Sequence, residues 1–336
     1  MDLDAKVDFL RRPAAYPERP AQVDVVETHI SWVFLTPRFA YKLKKPVRQP
    51  YLDFRTLDAR HQDCRQEVRL NRRLAGNIYL GVLPLSLSDT GQLNLVGDGR
   101  TIDWLVHMRR LPAKRMLDER LRRGQATERD LRRVGDCLAR FYQTLPPVPT
   151  DVVEYLAGFR DDIEDNRREL GDPRLGLPSS RVATLCAQQQ WLLPRLAPLC
   201  AARVHEGRII EGHGDLRPEH VCLLRVPVII DCLEFKRAFR VLDAADELGF
   251  LALECERLGA PWVGQILFGA YATITGDRSA VSLVHFFQSM RATLRAKLAI
   301  WHNRDPDVRD TEKWMRKSLH YLELAERHAH AAGKEL

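Results

Sequence analysis

Two aspartates, Asp215 and Asp231, stand at the ends of short apolar segments of the sequence. Ile209 and Ile210 lead into EGHGDLRPEH, which contains the first aspartate, and the apolar run 226–230 leads directly into the second. Two short strands joined through a loop would bring these carboxylates close together. Phosphoryl transfer uses such a pair, because one carboxylate accepts the proton of the attacking hydroxyl and the other binds the magnesium on the nucleotide phosphates. The stretch therefore predicts a phosphoryl-transfer site; the alternative is that Asp215 only caps a polar turn.

The spacing of these residues resembles the kinase signature H-x-D-x-x-x-x-N followed by a metal-binding aspartate. HGDL at 213–216 and IIDCLEF at 229–235 further resemble the aminoglycoside phosphotransferase and choline kinase branch of the kinase-like fold. This resemblance implies that Asp215 is the catalytic base or orients the attacking hydroxyl, and that Asp231 is the principal metal ligand. It also implies ATP as the phosphoryl donor and Mg²⁺ as the metal ion, with Mn²⁺ as an alternative.

One position departs from the signature of this family. The fifth residue after Asp215 is His220, where the family carries asparagine. Imidazole nitrogen suits manganese or zinc better than magnesium, so His220 could hold a second metal ion and favour Mn²⁺. Alternatively, His220 turns away and braces the catalytic loop by hydrogen bonding. Glu234, three residues beyond Asp231, is the other candidate for the second metal position.

The N-terminal part of the chain predicts strands and one helix. Residues 39–46 predict a strand on which Lys42 and Lys44 share one face by the two-residue period. In the family, one lysine of this strand contacts the α- and β-phosphates; alignment on the following Lys-Pro favours Lys44, with Lys42 second. The helix predicted over 56–75 carries Glu67, which would pair with the strand lysine and orient it. The alternatives are a solvated basic strand face and a glutamate on the helix surface.

Two further features of this part bear on nucleotide binding. The loop from Thr28 to Ser31 contains no glycine, whereas the kinase loop is glycine-rich so that its amides can approach phosphate. The hydroxyls of Thr28 and Ser31 are candidates to substitute for those amides in part. The run 106–112 resembles the strand that enters the hinge of kinases, where backbone groups around Met108 would meet the adenine edge.

The order of elements predicts an α+β, two-lobed protein-kinase-like fold. A small, β-rich N-terminal lobe covers residues 1–110 and carries the nucleotide-covering strands and the helix with Glu67. A large, mostly helical C-terminal lobe covers residues 111–336 and carries the catalytic and metal loops. Its first long helix is predicted over 127–145 from a capping box at 127–130.

Charged groups in the C-terminal part allow both functional and structural interpretations. The acidic cluster within 161–165 could meet a cationic substrate, but a solvated helix face is favoured. Asp243 and Asp246 fit N-terminal positions of a helix, where carboxylates satisfy free amides. The basic residues of a late helix either point toward the site loops or form a solvated face: Arg291, Arg295 and Lys297.

Length and composition narrow the class of protein. The chain has 336 residues, of which 45% are hydrophobic and 29% charged, as is ordinary for a soluble protein with a substantial core. No apolar stretch approaches the ~18 residues of a membrane span, and the N-terminus lacks a signal-peptide core, so a cytoplasmic location is expected. Seven cysteines without a C-x-x-C pair predict reduced thiols. The net charge of +7 is spread along the chain without an aromatic-interleaved basic motif, which argues against a nucleic-acid partner.

Four segments resemble a bacterial subgroup of this family that is frequently fused to a C-terminal P-loop ATP-binding domain: VETHISWVFL, FAYKLKKPV, RLNRRLA and CLEF. Because G-x-x-x-x-G-K-[ST] is absent, the resemblance implies the stand-alone first half, with a separate P-loop ATPase as a candidate partner. The predicted function is ATP-dependent transfer of a phosphoryl group to a hydroxyl of a small molecule. The alternative is a pseudokinase, a nucleotide-binding regulatory module with little turnover, which the glycine-free loop and His220 favour.

Overall fold

The computed structural model describes residues 1–49, 51–95, 97–304 and 309–336. In this part of the chain the strands are, in order, β1 (Asp24–Glu27), β2 (Ser31–Leu35), β3 (Phe39–Lys44), β4 (Arg48–Gln49), β5 (Leu52–Asp53), β6 (Tyr79–Leu87), β7 (Leu93–Leu95), β8 (Arg100–Arg109), β9 (Ile209–Glu211), β10 (Val221–Cys222), β11 (Val228–Ile229) and β12 (Val241–Asp243). The α-helices are α1 (Leu3–Leu10), α2 (Leu57–Ala75), α3 (Leu117–Arg122), α4 (Glu128–Thr144), α5 (Val152–Leu170), α6 (Ser179–His205), α7 (Ala244–Arg257), α8 (Trp262–Thr275), α9 (Val281–Trp301) and α10 (Thr311–Lys334).

These elements divide into two compact units. The first combines Met1–Arg120 with Glu219–Arg240, and the second combines Leu121–Pro218 with Val241–Leu336. The first unit is therefore discontinuous in sequence. It includes the segment with His220 and Asp231, although the order of elements predicts this segment in the C-terminal lobe.

The first unit is built on a six-stranded antiparallel sheet with the order β1-β2-β3-β8-β6-β7. Side chains of the central strand β3 alternate between two apolar layers, as the two-residue period requires. Tyr41 and Leu43 belong to the layer that includes α1, whereas Ala40 packs with residues of α2 and β8. Lys42 and Lys44 lie on the same side as Ala40, which confirms the predicted lysine face.

Helix α2 begins and ends at residues that favour helix boundaries. The hydroxyl of Thr56 accepts a hydrogen bond from the N–H of Ala59, and Asp58 lies in the first turn. Gly76 follows the last turn with φ 41°, a conformation that favours glycine. The helix predicted over 56–75 is confirmed. Its buried face includes Asp63 and Glu67, so α2 supplies carboxylates to the lysine side of the sheet.

The second unit is mostly helical. Its apolar core is formed by residues of α5, α6, α7, α9 and α10. Helix α4 begins with a capping box between Thr127 and Asp130, as the sequence predicts. Burial of such long amphipathic helices against one another accounts for a core of this size.

Two strands that precede the predicted site residues lie in different sheets. In the second unit β9 pairs with β12, with Ile210 opposite Leu242. In the first unit β11 pairs with β10, with Ile229 opposite Val221. The strand before Asp215 and the strand before Asp231 therefore belong to different units.

Asp243 connects β12 to the following helix. Its side chain accepts a hydrogen bond from the N–H of Ala245 and so caps α7. The guanidinium of Arg203 lies 2.6 Å and 2.7 Å from the two carboxylate oxygens of Asp243, and 2.6 Å from Oδ1 of Asp277. Asp243 is fully buried, so this pairing agrees with the predicted structural role.

The model is a mixed α+β structure with a β-rich first unit and a mostly helical second unit. All seven cysteines are described and none forms a disulfide; six are buried. Over the described ranges, no helix is long and apolar enough to span a bilayer.

Candidate active site

Lys42 of β3 lies between two carboxylates of the first unit. Its Nζ is 3.0 Å from Oε1 of Glu67 and 3.0 Å from Oδ1 of Asp231. The lysine side chain is 12% exposed, whereas that of Asp231 is 45% exposed. Burial lowers the pKa of Lys42, but Asp231 and Glu67 outweigh it, so this pKa lies well above the ordinary lysine value. A cation held beside an exposed aspartate can bind an anion such as a nucleotide phosphate.

Lys44 has a different environment, although it shares Glu67 with Lys42. Its fully buried Nζ lies 2.7 Å from Oε2 of Glu67, 2.6 Å from Oδ2 of Asp63 and 2.5 Å from Oε1 of Glu234. Burial lowers the pKa of Lys44, but Glu234, Glu67 and Asp63 raise it overall. An ammonium group has three N–H donors, and three carboxylates surround this one.

Asp231 adopts an uncommon backbone conformation. Its φ is 61°, in a region that costs a non-glycine residue about 1–3 kcal/mol. The N–H of Asp231 donates to Oη of Tyr79 at 3.2 Å, and the N–H of Cys232 donates to Oδ1 of Asn71 at 2.9 Å. Burial, followed by Glu67, raises the pKa of Tyr79 well above the ordinary value, so its hydroxyl stays protonated. These contacts hold the segment that begins at Asp231 against β6 and α2.

His220 is buried beside Asp231. Its Nε2 lies 3.5 Å from Oδ2 of Asp231, and its side chain is 7% exposed. The carbonyl of His220 accepts a hydrogen bond from the N–H of Ile230 at 2.9 Å. This position is compatible with both predicted roles, because a metal ligand and a loop-bracing residue would each lie next to the aspartate.

The donor set around Asp231 fits a nucleotide-bound cation. Among the described residues no three or more His, Cys, Asp or Glu side chains form a metal-binding group. Asp231 offers an exposed carboxylate and His220 a ring nitrogen, whereas Oε1 of Glu234 contacts Lys44. Mg²⁺ at a nucleotide takes one or two protein carboxylates and completes its shell with phosphate oxygens and water. Asp231 suits this incomplete type of site.

Of the other residues predicted to contact nucleotide, Ser31 and Met108 are buried, whereas Thr28 is exposed. Ser31 is fully buried, and its Oγ has no hydrogen-bond partner in the part of the chain that the structure describes. The hydroxyl of Thr28 donates to the carbonyl of Ser31 and accepts from its N–H, both at 3.0 Å, so the turn is closed internally. Met108 packs in the apolar layer with Ala40 and Val106.

Asp215 lies on the loop after β9 in the second unit. The Nε and Nη2 atoms of Arg217 lie 3.0 Å and 2.9 Å from its Oδ2. The N–H of Asp215 donates to Nδ1 of His213 at 3.4 Å, and the Asp215 side chain is 29% exposed. An accessible carboxylate in a fixed orientation can accept a proton from a hydroxyl or align it for attack.

A buried glutamate braces this loop. Glu247 of α7 accepts hydrogen bonds from the N–H of His213 at 2.7 Å, the N–H of Gly214 at 2.6 Å and the hydroxyl of Tyr142 at 2.9 Å. Burial raises the pKa of Glu247, although these hydrogen bonds oppose the rise. A Cβ on Gly212 would lie 2.6 Å from Oε2 of Glu247, so the loop passes too close for a larger residue.

The basic residues of α9 form ion pairs with little solvent exposure. The side chains of Arg291, Arg295 and Lys297 are 16%, 15% and 7% exposed, so the solvated-face interpretation is wrong for them. Burial lowers the pKa of each arginine, but nearby acidic groups, Asp215 among them, raise it overall. Their partners are carboxylates of α7 and α5: Arg291 with Asp246 at 2.5 Å, Arg295 with Glu254 at 3.1 Å and Lys297 with Asp165 at 2.7 Å.

The acidic cluster of α5 agrees with the structural interpretation. Glu164 pairs with Arg167 at 2.7 Å, and Asp165 pairs with Arg168 on the same helix. Asp165 also contacts Lys297 of α9, so α5 balances part of the charge of the cluster itself, as expected for a solvated face.

Several supporting residues were not predicted from the sequence. Arg217 stands only two residues after Asp215, so its position in the sequence could have indicated that it contacts this aspartate. The sequence does not indicate the contacts of the other three residues: Tyr79, Asn71 and Glu247. Their partners lie in distant segments of the chain, and only the tertiary fold brings them together.

The amino-acid sequence is similar to uncharacterized mycobacterial proteins. No protein-family model matches the chain. The uncharacterized proteins Rv2004c of Mycobacterium tuberculosis and Mb2027c of Mycobacterium bovis are each 32% identical over 282 residues, covering 82% of this chain and 54% of the relative. The chain thus spans about half the length of the curated relatives it matches.

Three solved structures resemble this chain over 96% or more of its length. The spectinomycin phosphotransferase APH(9)-Ia, in complex with ADP and spectinomycin, has a TM-score of 0.56 at 11% identity and covers 100% of this chain and 99% of its own. A choline/ethanolamine kinase family protein from Mesorhizobium loti has a TM-score of 0.55 at 15% identity, with 97% and 98% covered. Choline kinase from Cryptosporidium parvum has a TM-score of 0.55 at 11% identity, with 96% of both chains covered. The chain has the kinase-like fold of aminoglycoside phosphotransferases and choline kinases, as predicted.

Proposed function

We propose that the protein is an ATP-dependent phosphotransferase that transfers the γ-phosphoryl group to a hydroxyl of a small molecule. The observation that carries this proposal is the position of Lys42, 3.0 Å from both Glu67 and Asp231. Phosphoryl transfer uses a strand lysine for the phosphates, a helix glutamate that orients it and an aspartate that holds the metal ion. Lys42, Glu67 and Asp231 have these chemical types, and Lys42 contacts both carboxylates.

Lys42 is the proposed phosphate-binding lysine, ahead of Lys44. Lys42 contacts an aspartate with a 45% exposed side chain, whereas the three carboxylates around Lys44 are at most 9% exposed. A nucleotide phosphate can therefore compete for Lys42 without first breaking a fully buried network. Glu67 would orient Lys42 in this scheme.

Asp231 is the proposed principal ligand of Mg²⁺, and His220 is the neighbouring candidate donor. A Mg²⁺ ion held there would supply positive charge to offset the negative charge that develops on the phosphates during transfer. The left-handed backbone of Asp231, held by Tyr79, fixes the direction in which its carboxylate is presented. The hydrophobic neighbours Ala40 and Met108 are the proposed surroundings of the adenine ring.

Asp215 is the proposed residue that orients the attacking hydroxyl and accepts its proton. Its exposed carboxylate is aligned by Arg217, and its loop is held by the buried Glu247. Arg217 can also meet a negatively charged phosphoryl group, since guanidinium groups bind phosphate oxygens in pairs.

The structural neighbours support a nucleotide and a small acceptor. The spectinomycin phosphotransferase was solved with ADP and spectinomycin, and two other neighbours are kinases of the choline or ethanolamine type. We infer a hydroxyl-bearing small molecule as acceptor for this chain by analogy. A separate P-loop ATPase is retained as a candidate partner on the sequence resemblance alone.

The test is transfer of label from ATP in a mixture of candidate acceptors. The protein is incubated with γ-labelled ATP, Mg²⁺ and an extract of small metabolites, and the products are separated by chromatography. Label that moves from ATP to an organic acceptor supports the phosphotransferase. Binding of ATP without any transfer would instead support the pseudokinase, and absence of binding would refute both.

A further inference from the structure

We propose that Lys44 is a positioning residue that anchors the metal-binding segment 231–234 through Glu234, and that Glu234 is not a metal ligand. The inference rests on the proposed function, in which Asp231 holds the metal ion. It assigns the second lysine of β3 a task different from that of the first.

The environments of the two lysines separate their roles. Lys44 is fully buried, and its three carboxylate partners have side chains that are 9%, 1% and 6% exposed. Nζ of Lys44 donates to Glu67 and Glu234 and lies 2.6 Å from Oδ2 of Asp63. Because the side chain is fully buried among these carboxylates, a ligand cannot reach Lys44 without displacing one of them. Lys42, on the same face of the strand, keeps contact with the more exposed Asp231.

The carboxylate of Glu234 binds Lys44 rather than facing solvent. Its Oε1 lies 2.5 Å from Nζ of Lys44, and its side chain is 6% exposed. A carboxylate that is buried and neutralised by an ammonium group is a poor additional ligand for a cation. Glu234 therefore acts on the metal site through the position of its own backbone.

That backbone belongs to a segment fixed at both ends. At its start, the N–H groups of Asp231 and Cys232 donate to Tyr79 and Asn71. At its end, the carbonyls of Leu233 and Glu234 accept from Nη1 of Arg240 at 3.0 Å and 3.2 Å. The Lys44–Glu234 ion pair adds the charged side-chain contact that ties this end to β3.

The charges show why Lys44 is needed. Lys42 and Lys44 are in contact with four carboxylates, those of Asp63, Glu67, Asp231 and Glu234. Removal of Lys44 would take the shared cation away from Asp63, Glu67 and Glu234, of which Glu67 would keep Lys42, and like charges at low dielectric repel strongly. We expect the segment 231–234, which hydrogen bonds hold at its ends, to shift under this repulsion, whereas core residues hold α2. Asp231 would then lose its orientation.

The first arm of the test needs no nucleotide. Cys232, which is 2% exposed, lies inside the segment, and Cys64 of α2 is fully buried in the same unit as a reference. We would measure the rate at which an alkylating thiol reagent labels each cysteine, by peptide mapping, in Lys44→Met, Glu234→Gln and the double variant. The matched control is Lys45→Met, which removes a neighbouring lysine whose partner Glu27 is exposed.

Anchoring predicts that both single variants increase labelling of Cys232 at least ~10-fold while Cys64 stays protected, and that the double variant is no faster than the faster single. The control should label like wild type. Unchanged protection of Cys232 in both single variants would overturn the proposal. Equal exposure of Cys64 and Cys232 would also overturn it, because the pair would then support the whole unit rather than the segment.

The second arm measures ATP binding by calorimetry with Mg²⁺ and with EDTA. Anchoring predicts that Lys44→Met and Glu234→Gln each weaken Mg²⁺-dependent binding about tenfold or more, with no further loss in the double variant and little change in EDTA. A loss in Glu234→Gln alone would make Glu234 a ligand and overturn the proposal. If wild type binds no ATP, the proposed function fails, and the labelling arm still decides whether Lys44 anchors the segment.

Discussion

The ammonium group of Lys42 lies 3.0 Å from Oδ1 of Asp231. The pair joins the central strand of the first unit to the segment proposed to hold the metal ion. In the proposed function a magnesium–phosphate unit would replace both halves of this ion pair at once, because phosphate would bind Lys42 and the cation would bind Asp231. The arrangement is therefore suited to a nucleotide that arrives with its metal.

Replacement of Asp231 should weaken ATP binding only when a divalent ion is present. Asp231→Ala removes the proposed metal ligand but leaves Lys42 paired with Glu67. We expect at least a ~10-fold loss of affinity with Mg²⁺ and no loss in EDTA, measured by calorimetric titration. Asp53→Ala, which removes a carboxylate paired with the exposed Arg55, is the matched control. An equal loss in both conditions would mean that Asp231 is a structural residue.

Replacement of His220 should distinguish its two predicted roles. If His220 coordinates a second ion, wild type should prefer Mn²⁺ and His220→Asn should shift the preference toward Mg²⁺, since asparagine offers a hard oxygen ligand. If His220 braces the loop, the ratio of the two activities should not change. We expect an unchanged ratio, because His220 is buried and its Nε2 lies 3.5 Å from Oδ2 of Asp231. A shift of the ratio by tenfold would contradict this expectation.

A methyl group at Gly212 should disturb the catalytic loop. Gly212→Ala would place a Cβ 2.6 Å from Oε2 of Glu247, so we expect a loss of about 1–3 kcal/mol in the free energy of unfolding and a lower kcat. Gly158→Ala is the control, because its Cβ on the exposed side of α5 would meet nothing within 4 Å. That variant should be neutral or more stable by about 0.5–1 kcal/mol. Chemical denaturation tests both, and equal stability of the two variants would argue against close packing at the loop.

Stability should fall on acidification through a histidine pair in the second unit. Nδ1 of His285 lies 2.9 Å from Nδ1 of His328, and Nε2 of His328 lies 2.9 Å from Oε2 of Glu256. Burial, followed by the charge of His328, lowers the pKa of His285 below its ordinary value of 6.5. Burial raises the pKa of Glu256, but the hydrogen bond with His328 outweighs it and lowers this pKa below 4.5.

Both folded-state pKa values are depressed, so both groups bind fewer protons when folded, and their stabilisation is lost as the pH falls. For His285 the loss begins as the pH drops through about 6.5, and for Glu256 through about 4.5. We expect the melting temperature to decrease from about pH 7.5 to about pH 5, and His285→Gln to reduce that decrease. His330→Gln, on the exposed side of α10, is the control. An identical pH dependence in wild type and His285→Gln would refute the assignment.

Local patterns were sufficient for the elements that carry the predicted residues. The two-residue period places Lys42 and Lys44 on one face. Thr56 and Gly76 mark the ends of α2, because the Thr56 hydroxyl accepts a hydrogen bond from a free N–H of the first turn and glycine tolerates the positive φ that ends the helix. Helix α4 follows in the same way from its capping box. These features depend on neighbours in the sequence, so they can be recognised there.

The difference between the two lysines could not be predicted in this way. The period gives both the same face, but only the packed structure surrounds Lys44 with Asp63 and Glu234. Likewise, the pairing of β9 with β12 and the support of the Asp215 loop by Glu247 depend on contacts between distant segments. Long-range contacts of this kind have no local sequence signal.

The most direct test of the proposed phosphotransferase compares wild type with Asp215→Asn in single-turnover transfer of labelled phosphoryl from ATP to an acceptor found in the metabolite extract. The substitution keeps the shape of the side chain but removes its capacity to accept a proton. We predict a rate lower by about 10²–10⁴, with Mg²⁺-dependent ATP affinity and melting temperature nearly unchanged. Asp161→Asn, on the exposed part of α5, should behave as wild type. Equal rates for wild type and Asp215→Asn would contradict the account.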